Sequence, residues 1–378
     1  MNNKKFDVYF DLGSSYIRVG AFNKTEQENS FQIKKSCISN FTNKNFNLSN
    51  AESIMEEIIL TIEKKSNEYL DKIDLMIDSP EFFSVSLSLS KNFDGSKLKK
   101  EDVQFLIQDA KQQILRNYQN DKIIHIIVQN YKIDKIDYDF LSTEVVCNIL
   151  CVDIIFICLP KKIVDELKKL FAKFNVLINQ ISFSSYAKSL NYRNNFAADE
   201  NIAFIDMGFN KTSIIYYNKN IIRFFNTIPV GGNHITKDIS EILKIDLIKA
   251  EKVKLYFDKD QNFLDENKLS LDLIQNIIFA RVEEILELCD KSIKLNQNPY
   301  EIEQFKMVLM GDGSKILDNE FKEKISFSKV INLIEETNLG ICESAAKVSQ
   351  GINKREVVVV PKKQLKVGFF EKLFHFFR

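Results

Sequence analysis

Two carboxylates in this chain close two similar apolar runs, and each is followed by a turn of small residues. Asp11 lies in FDVYFDLGSSYIRVGAF (6–22), ahead of Gly13, Ser14 and Ser15. Asp206 lies in NIAFIDMGFNKTSIIYY (201–217), ahead of Gly208, Asn210 and Thr212. Glycine and short hydroxyl residues let backbone N–H groups approach an anion, while a carboxylate on each side can hold a hydrated divalent cation against its phosphates. Two such turns facing each other make a nucleotide clamp; each taken alone reads equally as an ordinary hairpin. A third turn, MVLMGDGSKI (307–316), runs an apolar strand into glycines before a helix start.

Alternating strands and helices must position these turns. A helical spacing of Ile54, Ile58, Ile62 and Leu70 marks a helix over 49–70, with Ser49 and Asn50 as caps, and a strand follows at 73–77 before Pro80. From 81 to 158 the pattern becomes alternating strands, FFSVSLSLS and HIIVQNYKID, around a helix at 101–118, which reads as an inserted subdomain. A helix at 161–174 and a strand at 175–181 return to the first domain. In the second half, IPVGGNHITKDISEIL (228–243) gives a strand end, a double-glycine turn and a helix capped near Asn233 or Thr236. Asp246 can cap the next helix, a longer one spans about 271–295, and a last one covers 342–349. Two similar αβ halves argue for an α/β architecture with a cleft between them.

Composition narrows the function classes. The 378 residues exceed one usual core, and 52 basic against 52 acidic side chains leave no net field to attract nucleic acid. Six cysteines, three of them in the apolar stretch 147–158, fit neither a disulfide framework nor a zinc pattern and are expected to be reduced core residues. Nowhere do eighteen apolar residues run together, so the reading is a cytosolic protein that does not span a membrane.

The end of the chain, KVGFFEKLFHFFR (366–378), is amphipathic. At about 100° per residue, Phe369, Phe370, Leu373, Phe374, Phe376 and Phe377 fall within roughly 160° of arc, opposite Lys372 and Arg378, with Lys366 just ahead. Such a helix, too short to cross a bilayer, lies in the interface with its rings among acyl chains and its cations on anionic headgroups, at roughly 1 kcal/mol per basic side chain. The alternative is a terminal helix docked on the protein's own core.

Together the two hairpins and the GDGSK turn resemble the two phosphate motifs and the adenosine motif of the actin, sugar kinase and DnaK-type ATPase superfamily. Within it, HIIVQNYKID (125–134), IPVGGNHITKDI (228–239) and the tail resemble the FtsA family of bacterial cell-division proteins. The resemblance implies an actin-like, ribonuclease H-like two-domain fold with a nucleotide cleft. The first domain would take 1–80 and 159–198, the inserted subdomain 81–158, the second domain 199–230 and 300–352, its small lobe 231–299, a linker 353–365, and the membrane-targeting helix 366–378. It implies ATP contacted by Asp11, Gly13, Ser14, Ser15, Asp206, Gly208, Asn210, Thr212, Gly232, Glu251, Lys254, Gly311, Gly313 and Ser314, with Mg2+ near Asp11 and Asp206. Without the resemblance, Glu251 and Lys254 read as a solvated i, i+3 pair. The implied partners are the C-terminal peptide of the tubulin-like FtsZ, further copies of the chain in a polymer, other division proteins and the anionic inner face of the cytoplasmic membrane at the division site. Rival readings are a pilus-assembly protein of the PilM type and a small-molecule kinase of the same superfamily.

The chain also departs from the family pattern. Phe209 and Asn210 stand where glycines are usual, Lys211 and Ser213 replace Thr and Asp, Tyr16 replaces a Lys, and Asp312 replaces a glycine. A ring at 209 limits how closely backbone can wrap phosphates, and no water-activating Glu or Gln can be assigned, Gln129 reading as structural. Catalysis is expected to be at most weak, with catalytic residues unassigned.

Overall fold

The computed structural model describes residues 5–24, 30–37, 48–138, 140–141, 145–257, 269–296, 304–317, 319–325, 327, 329–351 and 353–357. The tail at 366–378, and with it the amphipathic helix, lies outside the described residues.

The same five-stranded sheet is built twice. The first has the order β3-β2-β1-β4-β9, from β1 (Phe6–Leu12), β2 (Tyr16–Asn23), β3 (Phe31–Ser36), β4 (Lys72–Ile77) and β9 (Leu177–Phe183). The second has the order β12-β11-β10-β13-β14, from β10 (Ile202–Met207), β11 (Thr212–Asn218), β12 (Ile221–Ile228), β13 (Lys306–Met310) and β14 (Ile331–Leu333). In each, an antiparallel hairpin and its third strand continue into two parallel strands. The parallel strands demand helical crossovers. Alternation of this kind gives the α/β fold expected from the sequence, and its actin-like character follows from the likenesses reported below.

Strand β10 is buried at every position, as a central strand covered on both faces must be, and its IAFIDM sequence supplies the apolar side chains. That burial carries Asp206 into the interior at the strand end. Around it, one core joins the first sheet to Phe204, Tyr217, Phe225 and Met310 of the second. Another packs the far side of the second sheet against α5 (Gly232–Leu243), α6 (Leu247–Tyr256) and the long helix Leu271–Asn296.

The insertion forms a third sheet, β5-β8-β6-β7, from β5 (Phe83–Lys97), β8 (Val146–Pro160), β6 (Asp121–Ile133) and β7 (Ile136–Tyr138), covered by α2 (Lys100–Asn117). It touches both halves. Ile127, Ile155 and Ile157 enter the core of the first sheet, while Gln129 Nε2 donates to the carbonyls of Ile222 (2.8 Å) and Arg223 (3.0 Å) on β12. Gln129 is thus structural, as its sequence position suggested. After the helix Asn338–Ser349 the chain returns to this sheet: Glu356 bridges to Ile127, and the Val357 amide donates to the Ile126 carbonyl.

Several boundaries moved. Helix α5 starts at Gly232, with Gly231 at its N-cap, ahead of the expected Asn233 or Thr236. The helix expected at 342–349 begins at Asn338 because the Thr337 hydroxyl caps it by accepting from the Gly340 amide. Asp246 caps α6 as expected, accepting from the Lys249 amide at 2.9 Å. The sequence reading did not anticipate β3, β14 or the short helix Asn319–Lys324, and it also missed α4 (Ser184–Arg193), which runs directly from β9 into the interior. All six cysteines are free thiols, with Cys147, Cys158, Cys289 and Cys342 buried.

Candidate functional site: an interlobe cleft filled with ion pairs

The ends of β1, β4, β10 and β13 converge because the two repeated sheets meet there. Asp11, Gly13, Ser14, Ser15, Asp206, Gly208 and Gly311, all expected from sequence, line a single cavity. Asn210, Thr212, Gly232, Glu251, Lys254, Gly313 and Ser314 do not line it. The Thr212 hydroxyl donates to the Val230 carbonyl (2.7 Å), the Asn210 side chain accepts from Asn233 Nδ2 (3.4 Å), and the Ser314 hydroxyl donates to the Gly311 carbonyl (2.8 Å), closing its own turn.

The cavity measures about 50 Å3. It has room for a few waters, whereas small-molecule sites usually span several hundred Å3. Its space is occupied by cations of the chain. Across the hairpin, Arg18 stands directly opposite Asp11 in register, with Nη1 3.1 Å from Asp11 Oδ2, and its other terminal nitrogen pairs with Asp312. Lys188, projected from α4, places Nζ 2.6 Å from Asp206 Oδ1 and 3.4 Å from Glu336 Oε2. Lys211 places Nζ 2.5 Å from Asp78 Oδ1 and 2.9 Å from the Ser213 hydroxyl. The Ser184 hydroxyl donates to the remaining oxygen of Asp11 at 2.8 Å.

These charges are buried: Arg18, Lys188 and Lys211 are 4%, 6% and 2% exposed. Burial opposes the charge on Lys188, yet Asp206 and Glu336 outweigh it and hold the ammonium well above the usual lysine range. Burial likewise opposes Asp312, but Arg18 and Lys315 bring its carboxyl well below the carboxylate range. For Asp78 and Glu336 burial prevails over Lys211 and Lys188 respectively, and both carboxyls are pushed up.

The adenosine side is similarly engaged. Lys254 Nζ lies 2.6 Å from Glu251 Oε2, 2.9 Å from the Thr236 hydroxyl and 3.1 Å from the Gly232 carbonyl. Burial lowers Lys254 below the usual lysine range despite Glu251. Gly311 has φ +93°, and a Cβ there would sit 2.4 Å from Asp206 Oδ1. At Gly313 a Cβ would meet the Met207 carbonyl at 2.7 Å, so the third turn presses directly on the end of β10 and only glycines fit.

Mg2+ with ATP, which the resemblance implies, does not fit this arrangement. A hydrated magnesium ion between Asp11 and Asp206 would have to compete with the chain's own cations for the carboxylate oxygens that accept from its waters. Asp11 Oδ2 and Asp206 Oδ1 face Arg18 and Lys188, and Asp11 Oδ1 accepts from Ser184. Among the described residues no cluster of His, Cys, Asp and Glu has metal-site geometry.

Sequence reasoning missed Arg18, Asp78, Ser184, Lys188 and Glu336 as site residues. Arg18 had a signal, since the matching position of the second hairpin is Ser213, a small hydroxyl opposite Asp206. Lys188 had only a weak one, a lysine in the small-residue run SSYAKSL.

The profile of the family described as cell division protein FtsA matches residues 203–296. Over 350 residues, 81% of this chain and 82% of the relative, the sequence is 25% identical to cell division protein FtsA of Buchnera aphidicola from Acyrthosiphon pisum. The chain is thus similar to FtsA proteins over most of its length. A segment of 108 residues reaches 35% identity to Bacillus subtilis FtsA, covering 25% of this chain and 24% of that one. Among solved structures, the PilM–PilN type IV pilus biogenesis complex superposes at TM-score 0.63 with 10% identity, over 88% of this chain and 89% of the other. MreB5 of Spiroplasma citri bound to AMPPNP superposes at TM-score 0.50 with 12% identity, over 93% of this chain and 97% of that one. Both give the actin-like fold.

Proposed function

We propose that this chain is a non-catalytic scaffold of bacterial division that links FtsZ filaments to the inner face of the cytoplasmic membrane. The observation that carries the reading is the FtsA relationship running through 81% of the chain, together with a third sheet that rests on both halves of an actin-like body. The second domain's small lobe, about 231–299, would take the C-terminal peptide of FtsZ. The inserted sheet would contribute to end-to-end contacts between copies, and other division proteins would join the assembly. The terminal segment 366–378, by its rings and cations, would lie in the interface of anionic membrane at the division site. No helix of the described residues is long and apolar enough to cross a membrane, so attachment rests on that segment. Weak contacts then add through raised local concentration.

Binding is the activity on this reading. In-line attack on a terminal phosphate requires a positioned base, and the sequence assigns no Glu or Gln to that task. A pilus-assembly role of the PilM type shares the fold but has no need of an amphipathic basic end.

Co-sedimentation with anionic vesicles tests the proposal, using the full chain and a version ending at Pro361, each with and without FtsZ. The full chain is expected to pellet and to bring FtsZ with it, and the shortened one to stay in the supernatant. Equal pelleting of both versions would remove the tail as an anchor.

A further inference from the structure

Three ion pairs join the two halves at the place where related folds would hold a nucleotide, and each pair crosses the cleft. Arg18 on β2 of the first sheet meets Asp312 in the turn after β13. Lys188 on α4, packed under the first sheet, meets Asp206 at the end of β10. Lys211, between β10 and β11, reaches back to Asp78 after β4. The first half supplies two cations and one carboxylate, and the second half the complement. A hydroxyl contact between Ser189 and Tyr217, 2.9 Å apart and buried, continues the seam behind them. Lys211 also sits 5.1 Å from the ring centroid of Phe183, where a desolvated cation gains from the ring face.

A buried ammonium or guanidinium beside carboxylates is costly to separate, because pulling the halves apart leaves unpaired charge in a partly apolar cleft until water fills it. We infer that Arg18, Lys188 and Lys211 form a built-in latch that holds the cleft closed in place of magnesium and a polyphosphate, so that lobe closure in this chain is independent of nucleotide and metal. The idea goes beyond the scaffold role, which requires only that the body present its surfaces.

Local charge agrees with the latch. Around the cavity Asp11, Asp78, Asp206, Asp312 and Glu336 face Arg18, Lys188 and Lys211, so a polyphosphate entering without a metal meets an acidic surround, and a metal meets carboxylates already paired. The adenosine side offers no compensation, since Glu251 and Lys254 are bound to each other and to α5.

The test uses the full chain in millimolar Mg–ATP or in EDTA, with thermal unfolding and a fluorescent ATP analogue as readouts. A ligand at about a hundredfold over its Kd raises the midpoint of an ordinary domain by several degrees. The expected result is an unchanged midpoint and no saturable analogue binding; a magnesium-dependent rise or micromolar binding overturns the latch. The double variant Arg18→Ala with Lys188→Ala uncovers Asp11 and Asp206. It is expected to melt earlier and to regain stability when Mg2+ is added, which the natural chain does not do. If that variant does not fold, small-angle scattering of the natural chain decides: identical profiles with and without Mg–ATP support the latch, and compaction on adding it contradicts the latch. None of these readouts involves FtsZ or lipid, so they leave the scaffold reading to its own experiment.

Discussion

At the scale of single residues, the account turns on charges placed where the sequence led one to expect a ligand. Asp11 and Asp206 reach the cleft as their motifs implied, and the partners they find there are Arg18 and Lys188. Asp312, read from sequence only as a departure from a glycine, proves to be the acceptor of Arg18 across the seam. Its carboxyl is held below the ordinary range, so its folded value lies under the unfolded one. The stability it contributes is therefore fully present above about pH 4 and is lost as pH falls through the folded value. Asp312→Asn should cost about 1.5–3 kcal/mol near neutrality, the value of a hydrogen bond to a charged group. The gap in urea midpoint between the natural chain and this variant should narrow as pH is lowered from about 6 toward about 2. A gap that stays constant with pH would mean that Asp312 acts through its shape alone. Asp78 and Glu336 shift the other way, which is why the variant difference, and not the raw acid stability, carries the test.

At the scale of elements, periodicity and capping made most of the molecule legible. The hairpins, the strand after the first helix, the inserted sheet with its helix, and the long helix Leu271–Asn296 all follow from apolar spacing that tertiary packing did not override. Helix α4 was not legible. SSYAKSLNYR has almost no amphipathic contrast, because the helix is buried nearly all round by small residues and carries Lys188 inward. Missing the helix meant missing the latch. The segment after Gly351 is the second surprise, since a linker was expected and 353–357 is instead bound to β6. Glu356 Oε1 lies 2.6 Å from His125 Nδ1 and its other oxygen accepts from the Tyr186 hydroxyl at 2.8 Å. His125 Nε2 accepts from the Phe183 amide at 3.0 Å, which fixes Nδ1 as the donor. Any tail beyond this point thus starts from the inserted sheet. Glu356→Ala should release the strap at a cost of about 1–3 kcal/mol, and native-state hydrogen exchange at the amides of Val128 and Val357 should quicken about tenfold or more. Unchanged protection there would show that the backbone bridge holds without the carboxylate.

At the scale of the whole molecule, a duplicated sheet, a sheet resting on both halves and a seam of opposed charges all favour one closed body. On the latch proposal, an actin-like fold whose cleft is filled by its own side chains would keep its outer surfaces for partners while giving up the means to cycle between open and closed states. The sequence conveyed the architecture and the likeness to FtsA because those depend on patterning and on turn residues. It did not convey that the cleft is filled by the chain's own ion pairs, because Arg18, Asp78, Lys188 and Asp312 lie on four separate segments and meet only after folding. The most direct measurement is recruitment of FtsZ to anionic vesicles by the full chain, compared in EDTA without nucleotide and in Mg–ATP. The account predicts the same amount of FtsZ in the vesicle pellet under both conditions. Recruitment in neither would contradict the scaffold, and recruitment only with Mg–ATP would contradict the latch.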